Sequence, residues 1–269
     1  MAPAASPSDW YNSLPPVCKA WGTACFACTL FSQFGLVDLR NLYLDWALVS
    51  SKFHVWRLLT NFCFLGKFSF PFLMRMMMIA RYGVFLEQHT FAGRIADFVW
   101  MVMLCVLVLV PIPALVPSIQ IPFFGPSLVF TLLYLWSREN PNANTSIMGM
   151  ITMKAFYLPW GMLGMGLVMG QDPVPDLLGI VAGHLYYFLA VLHPRAGGAR
   201  LIKTPDWVRA LCYAAFGVRS APAPSSYARG RDDARAAAGG VAANTGGGGS
   251  DGAPRRRAFT GRGQRLGGN

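Results

Sequence analysis

Apolar residues gather in long runs separated by short polar turns, which predicts membrane-spanning helices rather than the period-two alternation of a half-buried sheet. After a short amphipathic lead (Trp10, Tyr11, Leu14) ending at Pro15-Pro16, the first run covers about Val17 to Phe34. Gly35 opens a loop holding Asp38, Arg40, Asp45 and Lys52 that reaches Trp56-Arg57. Five further runs follow, near Phe68 to Tyr82, Phe98 to Leu115, Ile121 to Trp136, Ala155 to Met169, and Leu177 to Leu192. The charged stretch "EQHTFAGRIAD" reads as the turn between the second and third runs, "SRENPNANTS" as the loop after the fourth, and "GQDPVPD" as the turn before the sixth. Pro111, Pro113, Pro117, Pro122 and Pro126 divide the third run from the fourth, since proline removes a helix donor and clashes with the preceding turn. Pro194 and the Gly197-Gly198 pair close the sixth.

Charge and composition sharpen this picture. The apolar set makes up 54% of the chain and charged residues only 13%, against roughly 25% in soluble domains, which excludes a soluble globule. Between Ala96 and Trp136 the only charge is Asp97, a stretch long enough for two crossings. The net charge of +11 is concentrated late, with 13 of the 23 Lys and Arg after His193, in a tail rich in Gly, Ala and Ser. That placement fits a cytosolic tail, and no aromatic-basic interleaving points to nucleic acid. With the N-terminus in the cytosol, Arg81, Arg94, Arg138 and Lys154 fall on the cytosolic side, while the third and fifth loops carry no Lys or Arg. Arg40, Lys52 and Arg57 in the first loop dissent. Asn144-Thr145-Ser146 is a glycosylation pattern that this orientation keeps on the cytosolic face. The N-terminal stretch lacks a basic region before its apolar run, and its first charge is Asp9, so a cleaved signal peptide is not expected.

The candidate chemistry is sparse. Cys25-x-x-Cys28 has redox spacing inside an apolar run, where cysteines serve as small hydrophobes, and the six cysteines imply no disulfide framework. No cofactor is expected. The last three runs hold fifteen or sixteen residues, about 23 Å of helix against a hydrocarbon core of about 30 Å, so such a bundle would thin the bilayer or be enclosed by partners. Arg75 is placed near the middle of the second run and Lys67 near its lumenal end. An Arg at that depth either faces a cavity, marking a client or substrate position, or snorkels to the interface.

The strings "VWRLLTNF" (55–62), "ADFVWM" (96–101), "LYLWSREN" (133–140), "FYLPWGMLG" (156–164), "LLGIVAGHLYYFL" (177–189) and "KTP" (203–205), in this order on six runs, resemble the derlin family. The resemblance covers nearly all of residues 8 to 210 and the extreme C-terminus, whose last residues look closest to the second derlin type. It implies an all-α membrane protein: a rhomboid-like six-helix bundle over 17–194, preceded by a lead (1–16). A cytosolic juxtamembrane segment (195–218), a disordered linker (219–258) and a terminal motif (259–267) would follow. The family is regarded as non-catalytic, resides in the endoplasmic-reticulum membrane with both termini cytosolic, and serves degradation of misfolded proteins from that compartment.

Individual residues carry over as follows. Trp56-Arg57 matches the family's Trp-Arg motif, which braces the first lumenal loop. Gly179-x-x-x-Gly183 resembles its G-x-x-x-G element, and Gly166 and Gly170 repeat the spacing; packing inside the molecule comes first and oligomer contacts second. His184 follows Gly183 on the sixth run, the run on which the rhomboid fold places its catalytic histidine, and Gly125-Pro126-Ser127-Leu128 keeps a serine without the following glycine of the protease sequence. Pro126 also removes a backbone donor, so Ser127 and His184 leave an intramembrane serine protease only as the alternative. A solute channel or transporter is the other competing class, but no convincing internal repeat is present.

The segment from about Arg219 to Ala258 is too poor in bulky apolar residues to fold, and about forty residues of such coil reach about 35 Å. At its end Phe259, Gly261, Gly263, Leu266 and Gly267 resemble the SHP box, which binds the valosin-containing AAA ATPase, while Arg255-Arg256-Arg257 adds attraction to acidic surfaces. The resemblance also implies a membrane ubiquitin-ligase complex and misfolded clients as partners.

Overall fold

The computed structural model describes residues 6–217, apart from 117, 118, 120, 148, 150 and 200. The expected linker and the Phe259, Gly261, Gly263, Leu266 and Gly267 motif lie outside the described residues.

A capping box starts α1 (Pro7–Ser13): the Asp9 amide donates to Ser6 Oγ at 3.2 Å and the Ser6 amide to Asp9 Oδ2 at 3.1 Å. Helix α2 (Pro16–Gln33) has no cap of its own. Its first free amides, Val17 and Cys18, instead donate at 2.9 and 2.8 Å to the two oxygens of Glu87, a carboxylate 70 residues away in sequence that is only 3% exposed. The loop after α2 contains α3 (Trp46–Lys52) and α4 (Arg57–Thr60). Trp46 Nε1 ties it to the Val110 carbonyl (3.2 Å), and the Leu44 amide donates to Pro122 (3.2 Å). Along α2, Trp21 Nε1 and Thr29 Oγ1 donate to the carbonyls of Phe62 and Gly66, which fastens the end of this loop to the helix.

Helix α5 (Phe70–Met78) runs on through π-helical turns at Ile79–Gly83 and Leu86–Thr90. The sequence reading closes this helix at Tyr82 and assigns Glu87 to a turn; the helix extends further because Glu87 is held as the cap of α2, inside the fold. Next come α6 (Ile95–Leu109) and, after Pro111, the short α7 (Ile112–Leu115). Helix α8 (Gly125–Glu139) is buried at every position from Gly125 to Ser137. Its sequence is apolar or small on all faces, as a helix enclosed by neighbours requires.

The expectation of an all-helical chain needs one correction. Part of the loop after α8 is an antiparallel ribbon, β1 (Asn144–Ile147) with β2 (Ile151–Lys154), registered Thr145 to Met153 and Ile147 to Ile151. Branched Thr and Ile favour the extended backbone, and Gly149 takes the left-handed conformation (φ 74°) between the strands. The glycosylation pattern falls on β1, where Thr145 is 3% exposed. A 3₁₀ turn then leads into α9 (Leu158–Val168). Helix α10 (Val174–Tyr187) continues through a π-helical stretch into α11 (His193–Arg195).

Last comes α12 (Asp206–Phe216), within the segment 195–218 that the sequence reading gave only as cytosolic and juxtamembrane. Thr204 Oγ1, just ahead of it, donates to Asp97 Oδ1 at 2.6 Å, and Val208 and Cys212 bury against Ala96 on α6.

Among the described residues two helical stretches are long and apolar enough to cross a membrane: Ile95–Leu115, with mean hydropathy 2.6, and Val174–Arg195, with 1.5. Ala155–Val168 is apolar but shorter.

Candidate functional site

The seam between α8 and α10 brings together the serine, the histidine and the paired glycines. A Cβ on Gly179 would sit 2.2 Å from the Ser127 carbonyl oxygen and 2.8 Å from Phe130 Cβ, so the two backbones touch there. One turn on, a Cβ on Gly183 would meet Tyr134 at 3.0 Å and the Thr131 carbonyl at 3.3 Å. Thr131 Oγ1 bridges the helices, lying 3.0 Å from the Ser127 carbonyl and 2.9 Å from that of Gly179. This register keeps serine and histidine apart. Ser127 faces Gly179 and its Oγ, fully buried, has no hydrogen-bond partner. His184 Nδ1 lies 2.6 Å from the Tyr134 hydroxyl, about 10 Å of helical rise beyond Ser127.

His184 is also exposed. The reason is angular. Gly183 occupies the seam, and the next residue is turned about 100° away from it. A nucleophile needs its base within about 3.2 Å, and this pair has no such contact.

In the first loop, Arg57 is 3% exposed. Its Nη1 donates to the carbonyls of Arg40 (2.7 Å) and Tyr43 (2.9 Å), and its guanidinium lies 5.3 Å from the Tyr43 ring. The fork thus gathers two loop segments through their backbone. Trp56 is half-exposed and stacks on His54, with ring centroids 4.3 Å apart.

Arg75 and Lys67 separate. Because α5 runs on past Tyr82, Arg75 lies in its second turn rather than mid-helix, and it does not snorkel outward. Nη1 donates to the Leu65 carbonyl at 2.8 Å and Nη2 to Gln171 Oε1 at 3.3 Å. It lines a cavity of about 40 Å³ between α5, α8 and α9, walled by Met74, Met78, Met162, Met165 and Met169. Asp176 closes the far side; it is 3% exposed and its Oδ1 has no hydrogen-bond partner. Such a cavity has room for a water or two, and a guanidinium and a carboxyl group line it among flexible thioethers. Lys67 is exposed and does not line it.

The second glycine pair is not a packing groove. A Cβ on Gly166 would make only ordinary contacts at 3.6 Å, and Gly170 serves the left-handed turn after α9 (φ 74°) with nothing near it. All six cysteines are free, with Cys25 fully buried. Among the described residues no trio of His, Cys, Asp or Glu could hold a metal ion. The sequence reading missed Glu87, Thr131, Tyr134 and Asp176. Of these only Asp176, a carboxylate at the edge of an apolar run, gave a signal that could have been followed.

Residues 14–206 match the Der1-like family. Derlin-1 of Arabidopsis thaliana is 54% identical over 203 residues, covering 76% of each chain. Derlin-1 of Oryza sativa subsp. japonica is 49% identical, covering 76% of this chain and 84% of its own. Derlin-2.2 of Zea mays is 38% identical over 211 residues, covering 76% of this chain and 85% of its own. The expected likeness to the second derlin type is therefore corrected. It rested on a few terminal residues, whereas these alignments run over some two hundred and favour derlin-1 sequences. With the family profile spanning most of its length and relatives at this level of identity, the chain belongs to the Der1-like, or derlin, family.

Proposed function

We propose that this chain is a non-catalytic component of endoplasmic-reticulum-associated degradation that assists the passage of misfolded proteins to the cytosol. In this reading the six longer helical segments (α2, α5, α6 with α7, α8, α9, α10 with α11) form a rhomboid-like bundle in the endoplasmic-reticulum membrane, with both termini cytosolic. The observation that carries the non-catalytic part is the α8–α10 register, which gives His184 to Tyr134 and leaves Ser127 Oγ buried without a hydrogen-bond partner. Short helices would thin the surrounding bilayer and lower the cost of moving polar polypeptide through it. The cavity at Arg75 would meet client segments, its methionines adapting to varied apolar side chains and its charges to exposed peptide groups. The tail would recruit the valosin-containing AAA ATPase through Phe259, Gly261, Gly263, Leu266 and Gly267, and ATP hydrolysis there would supply the pulling work. A membrane ubiquitin-ligase complex would modify the client beside it.

The test is turnover of a misfolded lumenal protein in cells lacking this gene, complemented with wild type, Ser127→Ala/His184→Ala, or Gly263→Ala/Leu266→Ala. The serine–histidine variant should restore turnover and the tail variant should not. Failure of a stably inserted serine–histidine variant would instead favour an intramembrane protease.

A further inference from the structure

We propose that α12 is an interfacial anchor: its Trp207–Leu211 flank, set beside the first turns of α6, lies in the phospholipid headgroup layer and fixes where the tail leaves the membrane. This rests on the reading of the chain as a membrane bundle.

The helix has three distinct sides. Val208 and Cys212, one turn apart, are 0% and 2% exposed and pack on Ala96, with Ile95, Val99 and Met103 around them. At 100° per residue, Trp207, Leu211 and Ala214 form the adjoining side. Trp207 is 54% exposed and Leu211 53%, so among the described residues this side is apolar and largely open. The remaining side carries Asp206, Arg209, Ala210 and Tyr213. A helix buried on one side, apolar on the next and polar on the third cannot be satisfied by water alone. It is satisfied where apolar and aqueous phases meet.

The position of the helix identifies the apolar phase. The element it packs on, α6, begins the most apolar stretch of the chain, and α12 sits on that stretch's first two turns. Two independent contacts hold it there: the 2.6 Å bond from Thr204 to Asp97, and the edge-to-face pair of Trp100 with Trp207 at 6.0 Å. The open flank is thus continuous with the outward surface of a candidate span, at its end rather than its middle. Indole rings favour that depth. Of the nearby cations, Arg94 pairs with Asp97 (3.7 Å) and Arg209 with Asp206 (3.2 Å), so the region presents little net charge and the apolar flank carries the assignment. A protein partner would also accept an apolar stripe, but continuity with the outward surface of α6 favours lipid.

The consequence concerns geometry. A tail beginning at a free segment could start anywhere within reach of α11, whereas an anchored α12 makes it start at the headgroup layer. Gly217, left-handed at φ 67°, ends the helix and releases the chain there.

The test introduces benzoylphenylalanine at Leu211 or at Ala210 in the full-length chain, expressed in endoplasmic-reticulum microsomes, followed by irradiation. Position 211 should give a phospholipase-sensitive lipid adduct in several-fold greater yield than position 210. A protein adduct at 211, or equal lipid adducts at both positions, would overturn the proposal while leaving the bundle reading intact. Release of the whole chain by alkaline carbonate, measured on the same membranes, would overturn both.

Discussion

The Tyr134 hydroxyl and His184 Nδ1 lie 2.6 Å apart, and that pairing, two turns along α8 from Ser127, decides what the serine can do. Ser127 Oγ is buried without a partner, so removing it deletes an unsatisfied polar atom rather than a used one. Ser127→Ala is expected to leave the thermal midpoint in detergent unchanged or slightly raised and to keep client turnover at the wild-type level. His184→Phe should destabilise the protein by about 1 kcal/mol for one lost hydrogen bond, seen as a modestly lower midpoint, again without loss of turnover. Labelling of Ser127 by a serine-directed fluorophosphonate would contradict both expectations.

Glycine substitutions should separate contact from composition. Gly179→Ala drives a methyl into the Ser127 carbonyl and Phe130, both on the enclosed helix α8, and neither has room to retreat. The cost is expected at about 1–3 kcal/mol or above, with partial loss of folded protein. Gly164→Ala, on α9 with nothing within 4 Å of the new methyl, should instead stabilise by up to about 1 kcal/mol through helix propensity. Unfolding midpoints of the two variants in one detergent give the comparison.

Much of the helical layout was legible because apolar runs and proline breaks are local signals. The starts of α2 at Pro16 and α9 at Leu158 lie within a few residues of the predicted bounds. The errors have long-range causes. Glu87 looks like a turn residue until its carboxylate is seen on the Val17 and Cys18 amides. Its use as a cap is what lets α5 extend past Tyr82, and that extension moves Arg75 from the middle of a helix to its second turn. The β ribbon was hidden by a polar loop composition, although Thr145, Ile147, Ile151 and Thr152 carry the branched residues of strands. Helix α12 was legible in principle, since Val208 and Cys212 keep helical spacing between Pro205 and Gly217, but the basic, glycine-rich tail beyond it masked the pattern. In the seam, the two glycines could be read from spacing. Their partners Thr131 and Tyr134 could not, because register between two helices is a tertiary property.

The Glu87 cap makes its own prediction. Glu87→Ala strands two amides at the buried start of α2 and removes a charge placed favourably at a helix N-terminus. A loss of about 1–3 kcal/mol is expected, and Glu87→Gln should recover part of it by accepting one of the two bonds. Hydrogen exchange at Val17 and Cys18 would locate the effect: both amides should exchange faster in the Ala variant, while amides in α8 should change only as global stability changes.

Arg75 and Lys67 entered as equals from the sequence, and the cavity distinguishes them. Lys67 is exposed and outside it, so Lys67→Ala should leave both stability and client turnover at wild-type levels. Arg75→Met keeps an unbranched side chain but removes the bonds to Leu65 and Gln171 and leaves Gln171 and Asp176 as the only polar side chains on the cavity lining. A purely structural Arg75 predicts that turnover falls only in step with the amount of folded protein. A client-facing Arg75 predicts more: at equal folded levels, photo-crosslinking of a misfolded client to a probe at Met165 should fall several-fold. Asp176→Asn gives the complementary reading, since it removes the buried negative charge and keeps the volume. If the cavity holds polar client groups, Asp176→Asn should stabilise the empty protein yet weaken the crosslink. Unchanged crosslinking in both variants would confine the pair to holding α5 against the end of α9.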